Sequence, residues 1–347
     1  MRNAFLALVS ILTISAAFSQ ETVTLPPKPG NPRSGRVLEL REVYRISDAQ
    51  GGFFFKSPSI IQPTPDGGVL VVDEGEFQQI ENFLVRDAEV LAFQRNPMKC
   101  VLMDLGGKFR REIKPDAPVS RILGRYGDRL LMAANSAPAI DKVQKPEGDI
   151  LDIVWTLKLM SPEGSVEATD LAYPTKWFAK RLSGAVIANN LTFLLCAPLE
   201  DGLVAVVNEE AYGIQIADPA KNARLLTIRR DYRRVKYEPE RSPDAAAGAR
   251  SLAEPREYFN DIQKLFAVDG RIWVVTSTLV PGKGVLVDAV SPRGEYLDSF
   301  YLPLPKGVDL HDLARYPLTI AGRTVLVREE LEDGRLEVVK YEILEPF

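Results

Sequence analysis

Residues 102–113 read LMDLGGKFRREI, and the phrase returns three times: LMSPEGSVEATD at 159–170, IADPAKNARLLTI at 216–228 and AVSPRGEYLDSF at 289–300. Each copy is an apolar stretch, a turn of Pro, Gly and polar residues, and a second stretch of alternating character. Two strands with a two-residue side-chain period, joined by residues suited to tight turns, make a β-hairpin. Aligned on their turns, Gly107, Gly164, Lys221 and Gly294 stand at equivalent places, 57, 57 and 73 residues apart.

A second phrase accompanies the first: a turn with Gly, a hydrophobic run, then a polar exit. It reads PDGGVLVVDE, YGDRLLMAAN, LEDGLVAVVNE, AVDGRIWVVTS and IAGRTVLVRE. The glycine suits a turn with positive φ, and the following run is too apolar for a half-exposed strand. A short strand precedes most copies, as in PSIIQPT and IQKLFAV. Each unit thus holds four antiparallel strands, A to D, with tight turns joining A to B and C to D. No long amphipathic helix separates the units, which argues against a βαβ architecture. The pattern predicts an all-β fold, a β-propeller of four-stranded antiparallel blades. Five units can be counted, and six are expected, with 74–99 or 171–199 holding the sixth. The last unit ends after its third strand. The orphan strand RVLELREVYRI, Arg36–Ile46, is expected to fill the vacant place and close the ring, leaving no open edge.

Two stretches carry a family resemblance: NEEAYGIQIADPAKNARLLTIRRDY at 208–232 and FNDIQKLFAVDGRIWVVTS at 259–277. Their Tyr-led third strand with an Arg-Arg-x-Tyr exit, and their D-G-x-Φ-W-V phrase, resemble the repeats of secreted six-bladed β-propellers of the NHL/TolB-like kind. The resemblance implies a fold, six blades and an exported location. It carries no catalytic residues to transfer.

The N-terminus reads as a signal peptide over 1–19: Arg2, the apolar AFLALVSILTISAAF, and AFS before Gln20. Residues 20–35, including ETVTLPPKPGNPRSG, read as a Pro-rich extended linker. A single propeller domain is expected over 36–347. A secreted or periplasmic location follows, with no transmembrane segment in the mature chain. A formal net charge of −4 argues against a nucleic-acid partner. Cys100 and Cys196 are the only cysteines. An oxidising compartment permits their pairing, but both sit in apolar runs and read equally as small buried hydrophobes. His311 is the only histidine, so multi-histidine metal sites are excluded, and it reads as a loop or helix-turn residue. Trp155, Trp177 and Trp273 read as core, with Trp177 a candidate for the loop side. Phe53, Phe54 and Phe55 read as packing at a blade edge. Asn190 in NLT fits a glycosylation acceptor.

Strand parity sorts the connections. The tight turns share one face, while the B–C loops and the connectors between blades share the other. Four long segments, 74–99, 136–148, 172–183 and 231–258, fall on that second face, which is therefore the expected recognition surface. Within it, Arg229, Arg230, Arg233 and Arg234 cluster around Tyr232, a grouping suited to an anionic protein or small ligand. No cofactor is required by this reading. The alternative is a metal-dependent hydrolase or lyase resembling gluconolactonase. In it Asp73, Asn135, Asn208 and Glu329, leaving the second strands, would converge on the axis around Ca²⁺.

Overall fold

The computed structural model describes residues 21–47, 55–73, 80–86, 88–136, 143–145, 147–182, 185–239 and 254–345. The signal-peptide reading, Phe53, Phe54, and the Pro/Ala-rich stretch from Asp244 to Leu252 lie outside the described residues. Three strands come first, β1 (Glu21–Thr24), β2 (Arg36–Val37) and β3 (Leu40–Ile46). Sheet I then pairs β4 (Pro58–Pro63) with β5 (Val69–Asp73). Sheet II runs in sequence order through β6 (Ile80–Arg86), β7 (Glu89–Gln94), β8 (Lys99–Asp104) and β9 (Phe109–Ile113). Sheet III holds β10 (Arg121–Tyr126), β11 (Arg129–Asn135), β12 (Asp149–Met160), β13 (Val166–Leu182) and β14 (Ala185–Asn190). Sheet IV is β15 (Leu195–Pro198), β16 (Val204–Val207), β17 (Gly213–Asp218) and β18 (Ala223–Arg229). Sheet V is β19 (Ile262–Val268), β20 (Arg271–Val280), β21 (Gly284–Val290) and β22 (Tyr296–Leu302). A single helical turn, α1 (Leu310–Leu313), leads to sheet VI: β23 (Leu318–Ala321), β24 (Thr324–Glu330) and β25 (Leu336–Ile343).

The turns explain the strands. Gly67, Gly127, Gly202, Gly270 and Gly322 all have positive φ and close the first hairpin of their sheets, as the repeated phrase requires. Gly107, Gly164 and Gly294 do the same for the third-to-fourth hairpins. In sheet IV the corresponding left-handed residue is Asn222 (φ 54°) rather than Lys221, so that alignment shifts by one. Asn tolerates this conformation far better than Lys, because its short amide bonds locally.

Apolar side chains from neighbouring sheets meet in six clusters. They join I to II through Val72 and Phe83, II to III through Phe93 and Met132, and III to IV through Leu131 and Val206. They continue from IV to V through Ile214 and Val274, from V to VI through Trp273 and Val325, and from VI to I through Leu326 and Ile61. The first strands touch in the same cyclic order, β4–β6–β10–β15–β19–β23–β4. Antiparallel sheets packed face to face around a central axis define a β-propeller.

The N-terminal strands close the arrangement. β3 pairs antiparallel with β25 and supplies the missing outer strand of sheet VI, as expected from the sequence. The expectation covered Arg36–Ile46, but Arg36 and Val37 pair parallel with Phe300 and Tyr301 of β22 instead. Nor is 20–35 unpatterned throughout: Glu21–Thr24 pair parallel with Leu226–Arg229 of β18. Leu25 is buried behind them. Three outer edges are thereby covered in succession, removing templates for intermolecular strand addition.

Two of the four segments read as loops are strands. Positions 74–99 contain β6 and β7, the first hairpin of sheet II, and 172–182 belong to β13. The second half of β13 pairs with Asp149–Trp155 on one side and with β14 on the other. A three-stranded arm therefore extends sheet III. The segments at 136–148 and 231–258 are described only in part; in the latter a bridge ties Lys236 to Tyr258.

Candidate functional site

At the axis, the junctions between first strands are stitched by side chains that bond to a neighbouring sheet's backbone. Gln62 Nε2 donates to Phe83 O at 2.8 Å, and its Oε1 accepts from Val85 N at 3.2 Å. Asn82 holds Ile122 in the same two-handed way. Arg121 Nη2 donates to Leu194 O, and Asn260 Nδ2 to Leu191 O at 3.1 Å. Lys264 Nζ donates to Ala314 O at 3.0 Å, and Thr319 Oγ1 to Ile61 O at 2.5 Å. Adjacent propeller sheets cannot share a backbone ladder, so inward-facing polar side chains satisfy the groups at the seam.

These seams surround a cavity of about 660 Å³, which reaches the ends of the first strands nearest the long connections. Arg121, Asn135, Trp155, Trp177, Cys196 and Lys264 are among its walls. Each first strand begins at that end, which places Arg121 at its rim. Arg121 lies over the Trp155 ring, 4.7 Å from its centroid, and Trp155 Nε1 donates to Thr175 Oγ1 at 3.1 Å. Two smaller pockets lie on the same face. One, of about 110 Å³, shares Asn190 and Ala314 with the central cavity. The other, of about 500 Å³, lies beside the Tyr237–Phe259–His311 ring cluster, whose centroids are 5.0–5.1 Å apart. His311 belongs to α1, whose first turn is capped by Asp309 Oδ1, so the helix-turn reading holds.

Charge is unevenly matched in the central cavity. Arg95 pairs with Glu81 at 3.1 Å. Among the described residues neither Arg121 nor Lys264 meets a carboxylate: they bond to the neutral carbonyls of Leu194 and Ala314. Burial alone pushes the Lys264 ammonium down to about 8, and burial also lowers Arg121. The Arg121 Nε–H is buried without an acceptor. Burial pushes the Cys196 thiol up to about 12 against the opposing pull of Arg121, which leaves an inert thiol. Cys100 and Cys196 are both free and belong to different sheets, so they act as small hydrophobes and not as a disulfide.

The sequence-predicted basic cluster sits elsewhere and is largely neutralised. Arg229 grips Glu209 through both nitrogens at 2.7 and 3.3 Å. Arg230 pairs with the fully buried Asp288, with the rings of Tyr212, Tyr232 and Tyr296 within 6 Å. Burial raises the Asp288 carboxyl while Arg230 and Tyr296 oppose it. Arg234 reaches Asp261 at 3.3 Å and Glu210 at 3.5 Å and covers the Tyr258 ring. Tyr232 Oη shares hydrogen bonds with Thr278 and Ser277. Arg233 is exposed. The cluster holds a connector onto sheets IV and V.

The four oxygen donors of the metal reading are likewise engaged by other protein groups. Asp73 accepts from Lys56 N and Ser57 N, both at 2.7 Å. Asn135 accepts from Ser120 Oγ at 2.5 Å. Asn208 bonds Pro174 O and Gln215 Nε2. Glu329 accepts from Tyr341 Oη at 2.6 Å. Only Asn135 lines the cavity, so these side chains do not assemble into a Ca²⁺ site. Among the described residues no three His, Cys, Asp or Glu side chains gather in a metal-binding group. Trp155, read from sequence as core, and Trp177, read as core or as facing the loop side, both line the cavity, whereas Trp273 is fully buried.

The class these features define is an all-β propeller with a central cavity open toward its long connections. No family model and no curated protein matches the chain. Solved structures do. A member of the DUF4221 family from Bacteroides vulgatus aligns at 12% identity over 90% of this chain and 99% of its own, with a TM-score of 0.49. A Bacteroides fragilis protein described as a candidate for export aligns at 8% identity over 93% and 100%, with a TM-score of 0.46. Glutaminyl cyclase from Myxococcus xanthus aligns at 11% identity over 89% and 100%, with a TM-score of 0.33. Likeness at this level assigns no activity.

Proposed function

We propose that the chain is an exported six-bladed β-propeller that acts as a binding scaffold and takes a small ligand in the cavity on its long-connection face. The single observation that carries this is the cavity of about 660 Å³, walled by two tryptophans and by Arg121 and Lys264, which meet no carboxylate among the described residues. Ligand sites are concave and carry placed polar groups beside apolar and aromatic walls, and this one has both. The six sheets and their cyclic contacts support six blades, consistent with the resemblance to NHL/TolB-like repeats. The N-terminal segment supports a secreted or periplasmic location. Among the described residues no helix is long and apolar enough to cross a membrane.

The metal-hydrolase alternative finds less support, because Asp73, Asn208 and Glu329 would have to abandon their present partners to reach the axis. The test is thermal unfolding of the chain from Gln20 onward against small molecules of differing charge. It is repeated on Ser120→Trp, which fills the cavity rim. The proposal expects compounds that raise the midpoint of the natural chain and leave the filled variant unmoved. Shifts that persist in the filled variant, or none at all, would overturn it.

A further inference from the structure

Resting on the reading of the cavity as a ligand site, we infer that its ligand is an anion, a small molecule bearing a carboxylate or phosphate group held by Arg121 and Lys264. The two residues stand on β10 and β19, first strands separated in the ring only by β15, and both face the same cavity. Each is fixed by one bond to a backbone carbonyl, Leu194 O or Ala314 O, which orients the side chain without neutralising it. That bond engages one nitrogen of the Arg121 guanidinium, leaving donor capacity for an acceptor in the cavity. Trp155 stacks beneath the guanidinium and restricts its plane. A planar cation with unspent donors is suited to carboxylate and phosphate oxygens.

Charge matching elsewhere in the molecule sharpens the point. Arg230, comparably buried, has Asp288, and Arg36 has Asp298 and Glu345. A buried cation without a counter-charge is costly, and proteins rarely tolerate one unless it is paired. Among the described residues there are two at the axis, Arg121 and Lys264, both lining the one cavity. An anionic ligand supplies the missing partner for both. The ligand is a small one: this cavity is about the size of pockets that enclose drug-sized molecules.

The cavity tryptophans provide the readout, since Trp273 is shielded in the core. Quenching of intrinsic fluorescence is measured with acrylamide, iodide and caesium at equal ionic strength, then with citrate as competitor. Acrylamide, being neutral, reports whether the cavity admits solutes at all. The inference expects acrylamide quenching together with an iodide constant at least about threefold above that for caesium, although the whole chain is acidic. Citrate should suppress the iodide effect. Arg121→Gln and Lys264→Met, each folded by circular dichroism, should bring iodide and caesium close to parity while leaving acrylamide unchanged. Efficient acrylamide quenching with no iodide preference would overturn the anion assignment and leave the ligand site intact. Failure of acrylamide to quench would overturn both. An iodide preference unchanged in both variants would place the anion elsewhere and refute the roles given to Arg121 and Lys264.

Discussion

Replacing Lys264 with Met should make the protein more stable at neutral pH, by an amount that fades as pH rises. Burial lowers the ammonium from an ordinary 10.5 to about 8. The folded state therefore binds this proton more weakly than the unfolded chain, and holding it at pH 7 costs free energy. The difference of about 2.5 units corresponds to roughly 3 kcal/mol at pH 7. Losing the hydrogen bond to Ala314 O returns about 1 kcal/mol of that. The variant is thus expected to gain about 2 kcal/mol at pH 7. Between about pH 8 and 10.5 the unfolded natural chain binds more protons than the folded one, so its stability rises with pH and the gap closes. At pH 10 the charge penalty should be about 1 kcal/mol, leaving the two proteins nearly equal. Urea titrations of both proteins at pH 7 and pH 10 measure this, with the slope checked for constancy. A variant no more stable at pH 7, or a gain independent of pH, would refute the claim that an unpaired charge is stored at the axis.

The arginines of the connector should behave very differently from one another. Asp288→Ala strands Arg230 in the interior and should cost about 3–5 kcal/mol, whereas Arg229→Ala breaks a partly exposed pair worth about 1 kcal/mol or less; chemical denaturation separates the two. Gly124→Ala drives a methyl to within 2.3 Å of Pro198 Cγ, between β10 and β15, and should lower stability by about 1–3 kcal/mol. Deleting residues 21–25 uncovers the β18 edge and removes buried Leu25, with an expected loss of about 2 kcal/mol and faster aggregation in light scattering. Restoring Ca²⁺, Mg²⁺, Mn²⁺ or Zn²⁺ to a chelated sample should leave the unfolding midpoint in place. A site at a hundred times its dissociation constant would add about 2.7 kcal/mol and return the metal reading to consideration.

Much of the fold is legible because its turns are written in glycine. Gly67, Gly127, Gly202, Gly270 and Gly322 each announce a first hairpin, and a turn needing positive φ leaves few other residues to choose from. From sequence, the first hairpin of sheet II is located only as one of two candidate regions, 74–99 or 171–199. Its paired ends, Arg86 and Glu89, have no glycine between them in the sequence. The start of β13 is legible in the repeat phrase at 159–170, but its continuation from Ala172 reads as a loop, although Pro174 there pairs in register with Val154.

The residues expected at the site are not those that line the cavity. Strand order alone singles out the long-connection face as the expected recognition surface, and the cavity opens on that face. Arg229, Arg230 and Arg234 stand close in the sequence, yet their acids, Glu209, Asp288 and Asp261, lie 20 to 58 residues away. A charge run shows nothing of partners that arrive from other strands. By contrast, Arg121 shares its short strand SRILGRY only with Arg125, and Lys264 is the one cation of DIQKLFAV. A lone cation at an inward position of a first strand was the available signal, and it became readable only once β10 and β19 were placed on the axis.

The central claim is that the long-connection face opens into an anion-binding cavity at the axis. The most direct measurement is anomalous diffraction from crystals of the chain soaked in iodide. The account predicts an iodide peak inside the cavity, in contact with Arg121 and Lys264 and absent from Arg121→Gln crystals. Iodide confined to the outer surface, with the cavity free of it, would contradict the account.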